Sequence, residues 1–155
     1  MDINQIIQAL TSSEALSGIA GAASVDLKDA KSVIENAVSP MIRGAFGSAD
    51  LSKLKTLLEG FSGSFGDAVK KIDLKEGAKL LSELLGSKES ATVSEISRES
   101  GVEESKTKNI LSAAAPLVAN ILGTELKDGD IGALAVSLMK NLSFTDLFGG
   151  LFGMK

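Results

Sequence analysis

Apolar residues recur along this chain at three- and four-residue intervals with polar residues between them, and that period predicts helices almost throughout. Asp2 can cap a short helix through Leu10, with Ile3, Ile6, Ile7 and Leu10 on one stripe. Ser13 opens a second helix carrying Leu16, Ile19, Ala20 and Ala23. Asp26 heads a third, with Asp29 three residues on, so acidic groups sit near the positive end of the helix. Its positions Ala30, Val33, Ile34, Ala37, Val38, Met41 and Ile42 keep the period, and Gly44 and Gly47 are expected to close the first unit. Asp50 or Ser48 caps a helix with Leu51, Leu54, Leu57 and Leu58, and a short helix is expected over Asp67 to Ile72. Asp73 opens a helix with Leu74, Ala78, Leu80, Leu81, Leu84 and Leu85, ended by Gly86. A charged loop, Ser87 to Ser90, leads to Val93 and Ile96. A long helix then runs to Leu122 with Gly123 as its cap, and Asp130 starts a further one with Ile131, Leu134, Ala135, Leu138, Met139 and Leu142.

Part of this pattern occurs twice. Ile19 matches Ile96, and Val25 matches Val102 after a turn of small residues. With one extra residue allowed in the first copy, Ile34 falls on Ile110, Pro40 on Pro116, Met41 on Leu117, Ile42 on Val118 and Phe46 on Leu122. A repeated set of core positions means one supersecondary unit used twice, and two such units can bury their apolar faces together. The expected architecture is all-α: a compact multi-helix bundle built from two related helical repeats. We read 1–155 as a single helical domain. Its repeat units cover about 1–47 and 73–123, a linker-helix segment covers 48–72, and a C-terminal helix with an apolar tail covers 124–155. Each proline lies inside a helical pattern. Proline removes a backbone hydrogen bond and crowds the carbonyl four residues back, so a kink or break is expected at both.

Composition narrows the chemistry. The 155 residues are 44% hydrophobic and 23% charged, which fits a folded domain and argues against wholesale disorder. The only aromatic residues are six Phe, so the core must be aliphatic, which suits close helix packing. The formal charge of −4 argues against nucleic acid or an anionic membrane as partner. Arg43 and Arg98 are the only arginines, although arginine is the residue best shaped for phosphate. No basic leader or long apolar run opens the chain, and Ile110 to Gly123 falls short of the roughly 20 apolar residues a membrane span needs. The expected location is cytoplasmic.

His, Cys, Tyr and Trp are absent. The commonest general base, the commonest metal ligand and the thiolate nucleophile are therefore missing. Glu103 and Glu104 are adjacent, and neighbours in a helix do not face each other, so they read as a solvated helix start. Asp128-Gly129-Asp130 lacks the longer acidic ladder of a calcium loop and reads as a turn and cap. Gly60 to Gly66 lacks the Lys-Ser/Thr that completes a phosphate loop, so it reads as a flexible connector. Neither catalytic, cofactor-binding nor metal-ligating residues are assigned, and the chain is expected not to be an enzyme.

Two surfaces remain as functional candidates. Val93, Ile96, Gly101, Val102 and Ile110 are spaced as in a helix-turn-helix. From Lys88 to Lys108, however, four basic side chains face five acidic ones, and Glu103 and Glu104 stand where phosphate contacts would form. The second candidate is the tail. Phe144, Leu147, Phe148, Leu151 and Phe152 are candidate protein-interaction residues, because burying each is worth roughly 1.5–3 kcal/mol. The tail either folds back on its own core or docks on another copy or a partner protein. It lacks the basic face of a membrane-surface helix.

The stretch from Leu80-Leu81 through Val93-Ser94-Glu95-Ile96, Ser100-Gly101-Val102 and Ala115-Pro116-Leu117-Val118 to Leu122-Gly123 resembles the YidB-like family, small uncharacterised bacterial proteins in a domain-of-unknown-function class. The likeness is weaker, through the repeat, over Leu16 to Phe46. The Leu-Leu-Gly-Gly runs frequent in that family survive here only as Leu84-Leu85-Gly86 and Phe148-Gly149-Gly150-Leu151. The resemblance implies an all-helical bacterial protein and supplies no catalytic residues. The leading expectation is a non-enzymatic interaction or self-assembly module; the alternative is a helix-turn-helix-like nucleic-acid binder.

Overall fold

The computed structural model describes residues 2–48, 50–127 and 129–138. Among the described residues there is no strand; the architecture is an all-α bundle. Helices α1 (Ile3–Leu10), α2 (Ser13–Ala23) and α3 (Leu27–Ser48) form its first part. Helices α4 (Leu51–Glu59) and α5 (Phe65–Lys70) lie between. Helix α6 (Leu74–Leu85), a single 3₁₀ turn (Gly86–Lys88), α7 (Glu89–Ser100) and α8 (Glu104–Lys127) follow. Residues 131–138 are again helical and are called α9.

The helix starts follow from short polar side chains that take up free backbone N–H groups. Asp2 accepts from the Gln5 N–H at 3.0 Å while the Gln5 side chain accepts from the Asp2 N–H at 2.9 Å, a reciprocal pair that fixes the first turn of α1. Asp26 accepts from the Asp29 N–H at 2.8 Å at the head of α3. Asp50 starts α4, and Asp73 starts α6 by accepting from the N–H groups of Lys75 and Glu76. The two sharp corners share one geometry. Ser24 ends α2 in the left-handed region at φ 59°, and the Val25 N–H donates to the Ala20 carbonyl at 3.0 Å. Gly101 ends α7 at φ 73°, and the Val102 N–H donates to the Ser97 carbonyl at 3.3 Å.

Helix α8 is the axis of the molecule. It packs against each of α1 to α7. Its buried residues therefore surround it: Ile110, Leu111, Ala113, Ala114, Ala115, Leu117, Val118, Ala119, Leu122 and Leu126. A helix that is apolar all round belongs inside, and its alanines let neighbouring helices approach closely. By length and composition α8 could cross a bilayer, but 72% of the qualifying window is buried by protein, as for a core helix. The other major contacts are reciprocal: α2 packs on α8, and α7 packs on α3.

Several sequence expectations are corrected by this packing. Gly44 lies inside α3, which runs one residue past Gly47 to Ser48, and Gly123 does not cap α8, which runs to Lys127. Tertiary contact explains two of these glycines. A Cβ on Gly123 would lie 2.8 Å from the Leu58 carbonyl carbon, and one on Gly44 would lie 2.6 Å from Leu85 Cδ2. Gly123 and Gly44 are points of close approach rather than helix ends. The prolines break neither helix; Pro40 lies within α3 and Pro116 within α8. Pro116 has no N–H to offer the Ser112 carbonyl four residues back. Gly77 of α6 lies against that carbonyl, and a Cβ there would stand 2.7 Å from its carbon. The expected loop at Ser87 to Ser90 is instead the 3₁₀ turn running into α7 at Glu89. Helix α5 begins at Phe65, two residues earlier than expected, because Ser64 caps it.

Candidate interaction surface

The helix-turn-helix-like corner joins α7 to α8 through Gly101, Val102 and Glu103. Ile96, Val102 and Ile110 are buried beneath it, so these apolar residues hold the corner together. Outside, Glu89, Ser90, Val93, Glu104, Ser105 and Lys108 line an open cleft of about 370 Å³. Glu89 Oε2 is buried and accepts no hydrogen bond, while the other contacts of the cleft's carboxylates are local. The Ser82 hydroxyl donates to Glu89 Oε1 at 2.7 Å, and the Ser94 hydroxyl donates to Glu104 Oε2 at 2.8 Å. Lys108 Nζ stands 3.8 Å from Glu89 Oε2. The cleft thus directs two carboxylates and one ammonium into a local network, and Glu103 and Glu104 are exposed where α8 begins. Among the described residues, no group of three or more Asp, Glu, His or Cys side chains is placed to hold a metal ion.

Of the acidic pair expected at the α8–α9 turn, Asp130 is described. Asp130 accepts from the Gly132 N–H at 3.0 Å and caps α9; Asp128 lies outside the described residues. Gly60 to Gly66, expected as a flexible connector, is instead tied down. Buried Asn120 donates from Nδ2 to the Phe61 carbonyl at 2.8 Å and to the Gly63 carbonyl at 3.2 Å. Thr124 accepts from the Gly63 N–H at 3.2 Å. A lone Asn in an apolar stretch of α8 was the available signal for this clamp, but its partner is a loop about sixty residues away and no periodicity points to it.

A second surface lies on α4, whose four leucines are not all buried. Leu54 and Leu58 are buried, but Leu51 is 37% exposed and Leu57 is half-buried. Asp50, Lys53, Leu54, Thr56, Leu57 and Glu83 line an open groove of about 510 Å³ between α4 and α6. Beneath it, sharing Leu54, lies an apolar cavity bounded by Met41, Phe46, Leu58, Leu84 and Leu122, of only about 10 Å³. That is about the room for one water molecule, so this cavity admits no further side chain. The candidate interaction residues Phe144, Leu147, Phe148, Leu151 and Phe152 lie outside the described residues, as do Met139 and Leu142.

Comparison with known proteins gives a family and no activity. The family model described as "Bacterial protein of unknown function (DUF937)" matches residues 4–125, from α1 nearly to the end of α8. No curated protein and no solved structure matches the chain.

Proposed function

The chain belongs to this family of bacterial proteins of unknown function (DUF937), the YidB-like proteins; from that premise, which supplies no chemistry, we propose that it is a non-enzymatic interaction and self-assembly module whose contact element is the C-terminal tail. The observation that carries this reading is the apolar run Phe144, Leu147, Phe148, Leu151 and Phe152, which the cavity of about 10 Å³ between α3, α4, α6 and α8 is too small to take. Five such side chains left in water would forfeit roughly 1.5–3 kcal/mol each. They are better satisfied against a surface, and a second copy supplies one. Light scattering coupled to size exclusion, over a concentration series, tests this. The mass of the full chain is expected to rise above the 16.0 kDa monomer as concentration increases. The double substitution Phe148→Ser and Leu151→Ser is expected to return it to 16.0 kDa. A parent chain that stays monomeric, or a variant that assembles as well as the parent, refutes the reading.

We also read the bundle as two related units. Support comes from hydrogen bonds that recur 77 residues apart, by subtraction of the numbers. Val25 N–H to Ala20 carbonyl corresponds to Val102 N–H to Ser97 carbonyl, and Ala30 N–H to Asp26 carbonyl corresponds to Thr107 N–H to Glu103 carbonyl. The left-handed residues Ser24 and Gly101 keep the same offset. The reciprocal packing of α2 on α8 and α7 on α3 is what a pseudo-two-fold arrangement would produce.

The α7–Gly101–α8 corner favours a second reading, nucleic-acid contact through a helix-turn-helix-like unit. The exposed Glu103 and Glu104 oppose it, because affinity for duplexes comes mainly from phosphate neutralisation. A gel shift at physiological salt, abolished by Lys106→Glu and Lys108→Glu, would favour this second reading over the first.

A further inference from the structure

We draw no further inference here: the strongest candidate, the open cleft between the starts of α7 and α8 lined by Glu89, Glu104 and Lys108, is an acidic cluster at two helix N-termini in which Glu89 Oε2 stands 3.8 Å from the Lys108 ammonium, and nothing among the described residues points to a ligand there.

Discussion

Replacing Gly77 with alanine is expected to destabilise the protein, although alanine is the better helix former by about 1 kcal/mol. The new methyl would stand 2.7 Å from the carbonyl carbon of Ser112 and closer still to its oxygen. Carbon atoms rest at about 3.5–4.0 Å, so α6 and α8 must separate by roughly 1 Å. A gap of that size forfeits about a quarter to a half of each contact it opens. The contacts at stake are those of Leu80, Leu81, Leu84 and Leu85, all buried on α6. Overpacking costs about 1–3 kcal/mol, and the upper end applies because the obstacle is backbone, which cannot rotate aside. Subtracting the propensity gain leaves a net loss of about 2 kcal/mol. For a domain of this size that lowers Tm by about 4–8 °C. The control is Gly21→Ala in α2, where an added Cβ meets nothing within 4 Å. There only the propensity term acts, and Tm should rise by about 2–4 °C. Thermal melts of both variants by far-UV circular dichroism give the answer. If Gly77→Ala melts at or above the parent temperature, the close approach of α6 to the proline-freed carbonyl is not what requires glycine there.

Four further substitutions test other parts of the structure. Asn120→Ala leaves the Phe61 carbonyl without its donor and the Gly63 carbonyl with only the Thr124 hydroxyl at 3.4 Å, and should cost about 1–3 kcal/mol in urea unfolding, with faster proteolysis at 60–66. Asp73→Ala removes the acceptor for two N–H groups at the start of α6 and should cost about 1 kcal/mol by the same measurement. Ser24→Gly should stabilise by about 0.5–1 kcal/mol, because Ser24 sits at φ 59° where a side chain is disfavoured, and Gly101→Ala at φ 73° should destabilise by a similar amount; equal melting temperatures for these two variants would count against the left-handed corners.

What the sequence made legible was local. Asp2, Asp26, Asp50 and Asp73 announce helix starts because a short carboxylate binds N–H groups only two or three residues ahead. The seven apolar positions named on α3 are all buried, because a stripe repeated over many turns leaves one face inward. What stayed hidden was tertiary. Gly44 and Gly123 look like helix stops when read alone, since nothing nearby reveals Leu85 or the Leu58 backbone pressing against them. Asn120 looks like an interruption until its loop is in place. Ser87 to Ser90 reads as a loop by polarity, yet the chain keeps turning into α7 there. Of the candidate surface, the apolar run Phe144, Leu147, Phe148, Leu151 and Phe152 lies outside the described residues, and the exposure of Leu51 depends on what packs against α4.

The crossing of α2 onto α8 and of α7 onto α3 has a consequence for synthesis on the ribosome. A nascent chain that has emerged only through α3 presents apolar flanks whose covering helices are still unmade. Those flanks must wait for α8, which touches α1 to α7. Folding of the bundle is therefore deferred to its last long helix, and the interval before that helix emerges is when the growing polypeptide is most exposed to proteases and to sticking to its neighbours.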